Sequence, residues 1–489
     1  MTDNSEGNQR QIILQMVPAV TNDKPSFSGD QLNRKGFAEQ LTNYIDRLRE
    51  GTVIAIDAPW GEGKTWFGCN WQHMLKERGH KALFLDTFAH DYVEDPFLVL
   101  SAQILNVLKK SDDPSGDLTD KAVAVAKALI PVGTTIAVNI AARWLLGAPD
   151  FSEAIRSALV AGVDASEPGL SDAIKKKLTH YQKEKASIEA FRSKLAEFCK
   201  QQDKPVVFFI DELDRCRPPF AVQTIERIKH FFEVPNLVFV LLLNRAQLEK
   251  AICGIYGAID APRYLGKFIP LTFRFPRDTM PATLASQRTR QYVDHVLKRY
   301  GFSDNQKDLA LGRHTLAITF SDGFSAIAEH FGMSLRDIEQ GIALFIMAQP
   351  MGTLTSGYLA LVIGLKITEP DLFEAMRNEN LSQYGQVGQM LLNVVDKRAK
   401  AGRQDGDQEQ NLFAHYAVWM KYCEGTIDRG TNDTHNLMRH QEHLKQENPA
   451  LAREIPNTDK NSPSRLFYLK LFVYLATLID CGMTIERPY

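Results

Sequence analysis

Four short apolar runs, each followed by a polar turn and a helical spacing of apolar residues, organise the first half of the chain. They cover residues 52–57, 82–86, 205–211 and 237–243 and are rich in Val, Ile, Leu and Phe. Runs of this length and composition predict buried strands, and the stretches between them predict helices. Alternation of strand and helix indicates an α/β fold, a parallel sheet built from βαβ units with helices on both of its faces.

Two other parts of the chain lack this alternation. Residues 110–200 combine polar linkers, an apolar segment and a Lys- and Glu-rich stretch over 175–200. They predict a helical insertion between the two halves of the sheet, and the 175–200 helix is either a solvated helix or a coiled coil that binds a partner. After residue 280 helical spacing dominates to the end, which predicts an all-helical C-terminal region.

The predicted organisation therefore has six parts. They are an N-terminal tail (1–30), the first half of the sheet domain (31–109), the helical insertion (110–200), the second half of the sheet domain (201–280), a helical lid (281–350) and a C-terminal helical region (351–489).

The apolar segment over 122–146 raises the question of a membrane. Its longest uncharged run has about 15 residues and is interrupted by Pro131, Gly133 and Asn139, whereas a spanning helix needs about 20 mostly apolar residues. We expect a helix or hairpin packed on protein; insertion into a membrane or its interface is the alternative.

Composition narrows the class of protein. Hydrophobic residues make up 44% and charged residues 24% of the 489 positions, as in globular proteins, which excludes disorder over most of the chain. The formal net charge of -2 gives no support to a protein that coats nucleic acid. The six cysteines form no CxxC pair and the N-terminus shows no secretory signal, so we expect a cytoplasmic protein, with peripheral inner-membrane association as the alternative.

The first strand leads into the sequence A-P-W-G-E-G-K-T at residues 58–65 and then a helix, which is the arrangement of a phosphate-binding P-loop. Gly61 and Gly63 let the backbone approach a phosphate, Lys64 supplies positive charge, and Thr65 offers a hydroxyl to Mg²⁺. The first position is Ala58 where the strict motif has Gly. The predicted nucleotide-binding residues are Trp60, Gly61, Glu62, Gly63, Lys64, Thr65 and Trp66.

The third strand ends in Asp211, followed by Glu212, Leu213, Asp214 and Arg215. An apolar strand that ends in a carboxylate is typical of a Walker B element, in which Asp211 would hold Mg²⁺. Glu212 is then placed to act as the general base toward a water molecule. The alternative is a buried strand with a solvated acidic end.

Asn244 directly follows the fourth strand. If that strand lies between the two motifs, the amide could orient the attacking water. The other interpretation is that Asn244 begins and caps the next helix.

These motifs together resemble the KAP family of P-loop NTPases over roughly residues 25–350. The resemblance depends on residues 59–65, 210–216, 225–239 and 264–269, although Gly266 and Asn244 stand where the family often has Glu and Asp. It implies a Mg²⁺-dependent ATPase with an insertion between its motifs that often carries transmembrane helices in other members. Bacterial members are similar to proteins of phage exclusion and other conflict systems, which implies a co-encoded effector or other protein partner.

The same resemblance implies that further basic residues complete the site. Arg263 or Lys267 would act like an arginine finger, a cation that stabilises the charge of the transition state. If the protein is a homo-oligomer, this cation could come from a neighbouring subunit. The alternative for each residue is a surface salt bridge. Arg336 would read the γ-phosphate from the lid, unless Ser334 caps the helix and Arg336 is simply solvated.

Two functions from different classes follow. The first is an ATPase that drives or gates a defence system against phage. The second is a nucleotide-dependent switch or scaffold with little hydrolysis. A nucleic-acid-dependent ATPase is a third alternative for the function.

Within the Walker B turn, Asp214 and Arg215 are expected to pair with each other and brace the turn.

Overall fold

The computed structural model describes residues 25–93, 95–109, 186–231, 234–275, 282–302, 313–348 and 353–378, with short helical pieces within 383–393 and 475–479. The chain divides into two compact units. We name them the sheet unit, Val17–Asp278, and the helical unit, Thr279–Tyr489 with Met1–Met16.

The sheet unit is built on a five-stranded parallel sheet. Its strands are β1 (Thr52–Asp57), β2 (Ala82–Asp86), β3 (Val206–Asp211), β4 (Leu237–Leu243) and β5 (Leu271–Arg274). Their spatial order is β2-β3-β4-β1-β5, and all the pairs are parallel. The predicted α/β class and its four strands are confirmed, and the short edge strand β5 was not predicted.

Helices cover both faces of this sheet. They are α1 (Arg34–Ile45), α2 (Lys64–Glu77), α3 (Pro96–Lys109), α4 (residues 186–200), α5 (Pro218–Ile228), α6 (Arg245–Tyr256) and α7 (Ala261–Leu265). Helices α1 and α2 pack on one face, and α3 to α7 pack on the other. Alternate residues along each strand point to opposite faces, so β3 and β4, which are buried along their whole length, supply both cores.

Close contact fixes helix α2 against the sheet. A Cβ atom added to Gly68 would lie 2.2 Å from Leu242 Cδ1 on β4 and 3.1 Å from the Phe84 ring on β2. Only glycine allows this approach, so the helix that begins at the P-loop is held directly over the central strands.

Helix α4, at the end of the predicted insertion, belongs to the core of the sheet unit. Phe191, Leu195 and Cys199 recur every four residues and are buried against α3 and the sheet. The Glu and Lys residues of the described part of α4 lie on its other, solvated face, as one interpretation holds. The apolar face packs within the chain, so the structure does not support a partner-binding coiled coil on that face. Residues 110–185, including the 122–146 segment, lie outside the described residues.

The helical unit has its own core. Its helices are α8 (Ala282–Arg299), α9 (Arg313–Phe331), α10 (Leu335–Ala348), α11 (Thr353–Thr368) and α12 (Pro370–Arg377). Phe320 stacks between Phe324 and Phe345 at centroid distances of 4.9 and 3.9 Å. The described part of this unit contains helices and no strand, as predicted for the C-terminal region. The exact domain boundaries stay a prediction.

Among the helices that the structure describes, none combines the length and the apolar character needed to cross a bilayer.

Candidate nucleotide site

The site lies at the carboxyl edge of the sheet, where parallel strands end together. Strand β4 runs between β1 and β3, with Leu243 opposite Asp57 and Leu242 opposite Asp211. Asn244, the residue after β4, therefore lies between the ends of the two motif strands, as one of its two interpretations requires. This edge is where open α/β sheets bind ligands.

The loop after β1 has the backbone conformation of a phosphate cradle. Gly61 and Gly63 have φ angles of 82° and 73°, in the left-handed region that favours glycine. Helix α2 then begins at Lys64, so its free N–H groups and its positive dipole end are at the loop. Arg34, which the sequence did not indicate, is buried beneath the loop and donates a hydrogen bond to the Gly63 carbonyl at 3.3 Å.

Lys64 is folded into its own loop. Its Nζ donates hydrogen bonds to the carbonyl oxygens of Ala58 at 2.8 Å and Pro59 at 3.1 Å. Burial lowers the pKa of Lys64, although the carboxylates of Asp214, Asp211 and Glu212 oppose this. The cation is thus held by two neutral acceptors that an anionic phosphate can replace at a gain in electrostatic energy.

Asp211 and Thr65 fit a Mg²⁺ ion. Asp211 is buried; its Oδ1 accepts the Glu212 N–H at 2.9 Å, whereas its Oδ2 has no hydrogen-bond partner among the described residues. Burial raises the pKa of Asp211 to about 6, outweighing the opposing effects of Thr65 and Lys64. An unpartnered carboxylate oxygen beside an exposed hydroxyl is an all-oxygen donor pair, which is the chemistry that Mg²⁺ prefers.

Glu212 is engaged at both carboxylate oxygens. Its Oε1 accepts a hydrogen bond from the Thr65 hydroxyl at 3.4 Å, and its Oε2 forms an ion pair with Arg215. Its backbone is left-handed, with φ 60° and ψ 21°, a conformation that costs a non-glycine residue about 1 kcal/mol or more. Burial raises the pKa of Glu212, with the Arg215 guanidinium opposing that rise.

The Walker B turn, the 3-10 turn Leu213–Arg215, is joined to the P-loop. The Trp60 indole N–H donates to Asp214 Oδ2, while Asp214 Oδ1 is buried with no partner in the described part of the chain. The predicted pairing of Asp214 with Arg215 is wrong. Side chains three residues apart align in a 3-10 turn, so Arg215 reaches Glu212 instead of its sequence neighbour.

The remaining predicted loop residues differ in their exposure. Glu62 is buried, and the half-buried Trp66 ring packs edge-on against Phe27 with centroids 5.8 Å apart. The exposed Trp60 ring, by contrast, borders the site, where 43% of its surface is accessible.

Asn244 occupies the residue before helix α6, yet its side chain makes no capping hydrogen bond. Asp57 at the end of β1 accepts the Arg245 N–H at 2.9 Å instead. The structure therefore does not support capping by the Asn244 side chain, and the water-orienting role stays a prediction.

Arg263 and Lys267 are exposed on and just after α7, and neither forms a salt bridge with a described residue. Lys267 lies 5.8 Å from the centroid of the Tyr264 ring. Their predicted action on a nucleotide stays a prediction.

Arg336 is exposed near the start of α10 in the helical unit. The Ser334 hydroxyl accepts the Asp337 backbone N–H at 3.2 Å and donates to the Asp337 carboxylate at 2.8 Å, which caps this helix. Capping by Ser334 is thus observed, and the action of Arg336 on a γ-phosphate stays a prediction.

Comparison with known proteins agrees with this geometry. Residues 34–351, about two thirds of the chain, match the family described as the KAP family P-loop domain. The phage T7 exclusion protein of Escherichia coli (strain K12) is 24% identical over 187 residues; the alignment covers 37% of this chain and only about a quarter (24%) of that relative. The ORC2 protein of Aeropyrum pernix, solved in its ADP form, is 11% identical at a TM-score of 0.31, with 95% of this chain and 96% of that chain covered.

Proposed function

Because this chain belongs to the KAP family of P-loop NTPases, we propose that it binds Mg-ATP and hydrolyses it to ADP and phosphate. One observation carries the proposal. The Thr65 hydroxyl of the P-loop helix contacts Glu212 of the Walker B turn at 3.4 Å, although the two lie 147 residues apart in the chain. The residue types required for phosphoryl transfer thus meet at a single place.

Each of these residues has a role that its surroundings favour. Lys64 would exchange its two carbonyl acceptors for phosphate oxygens, and the N–H groups at the start of α2 would bind the same anion. Thr65 and Asp211 would hold Mg²⁺, which neutralises charge on the β- and γ-phosphates when bound. Glu212 would accept a proton from the attacking water, which Asn244 would orient.

Phosphate release from Mg-ATP tests the activity. We expect the wild-type protein to turn over ATP and Glu212→Gln to lose at least about 100-fold in kcat, since a positioned general base contributes about 10²–10⁴. Glu212→Gln keeps the size of the side chain, so ATP should still raise its melting temperature. Lys64→Ala should lose the ATP-induced rise as well, because it removes the cation that meets the phosphates.

Two outcomes would contradict this proposal. One is equal phosphate release by wild type and Glu212→Gln, which would point to a contaminating enzyme. The other is ATP binding without any turnover, which would favour the nucleotide-dependent switch. The engagement of both Glu212 oxygens in the ligand-free protein is the observation that favours this second candidate.

The similarity to a phage exclusion protein leads us to propose a bacterial defence setting, in which the ATPase drives or gates a co-encoded effector. The same variants test it: cells that express the wild-type protein should resist infection, and cells that express Glu212→Gln or Lys64→Ala should not. Equal plaque formation on all three would remove this setting and leave the ATPase proposal standing.

A further inference from the structure

Two contacts restrain the carboxylate of Glu212. A general base works from a carboxylate lone pair directed at the attacking molecule. Here Oε2 is paired with the Arg215 guanidinium, Oε1 accepts the Thr65 hydroxyl at 3.4 Å, and the side chain is only 17% exposed. These contacts set the direction in which the carboxylate points, so the loss of one of them changes its access to a water molecule.

The two contacts differ in how they can be broken. If Mg²⁺ were bound, the Thr65 hydroxyl would help to hold it and would then leave Oε1. The Arg215 contact is of a different, local kind. It is formed within one turn of chain, between residues three apart, and it persists as long as the Walker B turn keeps its shape.

The Walker B turn is in turn attached to the loop that binds phosphate. Trp60 in the P-loop donates its indole N–H to Asp214, the residue beside Arg215. Trp60 therefore connects the P-loop to the turn that carries Arg215 and braces that turn.

We propose that Arg215 is a positioning residue that holds Glu212 away from the reaction and keeps basal hydrolysis low. This inference rests on the proposed ATPase function and names its regulation. The Trp60–Asp214 hydrogen bond braces the Walker B turn and so helps Arg215 to keep its contact with Glu212.

Arg217 provides a matched control. It is an exposed arginine two residues further on that pairs with Asp91, at 3.6 Å, and has no contact with Glu212 among the described interactions. Any general effect of removing a positive charge near the site should appear in Arg217→Gln as well as in Arg215→Gln.

The test measures kcat for phosphate release and, separately, Kd for a fluorescent ATP analogue. We expect Arg215→Gln to raise kcat about 1.5- to fivefold with Kd unchanged, the range for loss of a half-exposed ion pair. Arg215→Lys, which can still pair with Glu212, should remain near the wild type, as should Arg217→Gln. The double variant Glu212→Gln/Arg215→Gln should show no turnover, since the gain acts through Glu212.

A second variant keeps the inference testable if Arg215→Gln does not fold. Trp60→Phe retains an aromatic ring and loses only the N–H that bonds Asp214, and it should also raise kcat. An unchanged or lower kcat in both variants, with nucleotide still bound, would overturn the inference.

The result for wild type separates this inference from the proposed function. Turnover in wild type with no gain in the variants overturns only the role of Arg215. Turnover that appears solely in Arg215→Gln supports that role and contradicts basal ATPase activity. No turnover in any of these proteins overturns both.

Discussion

At the scale of single residues, the buried carboxylate of Asp211 works against the stability of the ligand-free protein. Asp211 is 1% exposed, and its Oδ2 has no hydrogen-bond partner among the described residues. Its pKa rises from 3.8 to about 6 because burial disfavours the charged form. The charge that a bound cation would use is present at neutral pH at a cost to folding.

The sign of this effect gives a pH-dependent prediction for Asp211→Asn. A carboxyl group whose pKa is higher in the folded state favours folding at pH below 4, and this contribution is lost as the pH rises through about 6. Above pH 6 the loss is about 3 kcal/mol. The neutral amide avoids it, so Asp211→Asn should melt several degrees higher than wild type at pH 7.5. At pH 4.5 the difference should shrink to about a third, because the cost grows only as the pH rises above 3.8. Calorimetry of the ligand-free proteins at both pH values measures this.

Asp86→Asn is the control for that measurement. Asp86 ends β2 directly opposite Asp211, but it is exposed, and its carboxylate accepts the Ala89 N–H at 3.2 Å, as an amide oxygen also can. Its melting temperature should match wild type at both pH values. Equal stability of Asp211→Asn and wild type at pH 7.5 would contradict the burial cost.

The sequence was sufficient to bring together Lys64, Thr65, Asp211 and Glu212, because motif spacing and strand order place them at one sheet edge. It did not predict the partner of Arg215. That partner depends on a left-handed residue followed by a 3-10 turn, and no local pattern in the sequence specifies this backbone.

At the scale of elements, helix α4, at the end of the predicted insertion, packs into the core of the sheet unit. Phe191 is fully buried, with its ring 6.2 Å from Phe97 on α3 and 6.3 Å from Phe231. The 175–200 stretch looks polar in the sequence because it is rich in Lys and Glu, and over residues 186–200 the Glu side chains and Lys200 lie on the exposed side of the helix. The apolar face was visible in the spacing of every fourth residue, but only the tertiary fold shows what it contacts.

Phe191→Ala should destabilise the sheet unit by about 3–5 kcal/mol, the usual cost of removing a buried phenylalanine ring. Ser193→Ala, an exposed change on the same helix, should have little effect. Urea unfolding followed by circular dichroism compares the two. A loss below about 1 kcal/mol for Phe191→Ala would mean that α4 is not part of the cooperative core.

Strand β5 was missed for a different physical reason. It has four residues at the edge of the sheet, and none of them is fully buried. An edge strand has a single neighbour and needs no continuous apolar run, so its sequence carries a weaker signal than those of β3 and β4.

At the scale of the whole molecule, the two units have separate hydrophobic cores. The sheet unit buries aromatic and aliphatic residues on both sheet faces, whereas the helical unit packs α8 to α12 around Phe320, Phe324 and Phe345. The described residues from which the candidate nucleotide site was built above belong to the sheet unit. Nucleotide binding in the sheet unit can change the helical unit only if a residue of the helical unit also responds to the nucleotide.

Arg336 is the residue for which this response is predicted. Its helix is capped by Ser334 and Asp337 independently of the guanidinium, so Arg336→Gln should leave α10 intact. If Arg336 reads the γ-phosphate, the variant should lose at least about tenfold in kcat and bind ATP more weakly, while its Kd for ADP is unchanged because ADP lacks that group. Arg377→Gln on α12 removes a similar, partly exposed charge from the same unit and should match wild type. Phosphate release and titration calorimetry with both nucleotides measure these quantities. If Arg336→Gln keeps the kcat of wild type, Arg336 is a solvated residue that does not act on the γ-phosphate. Another residue of the helical unit would then have to respond to the nucleotide.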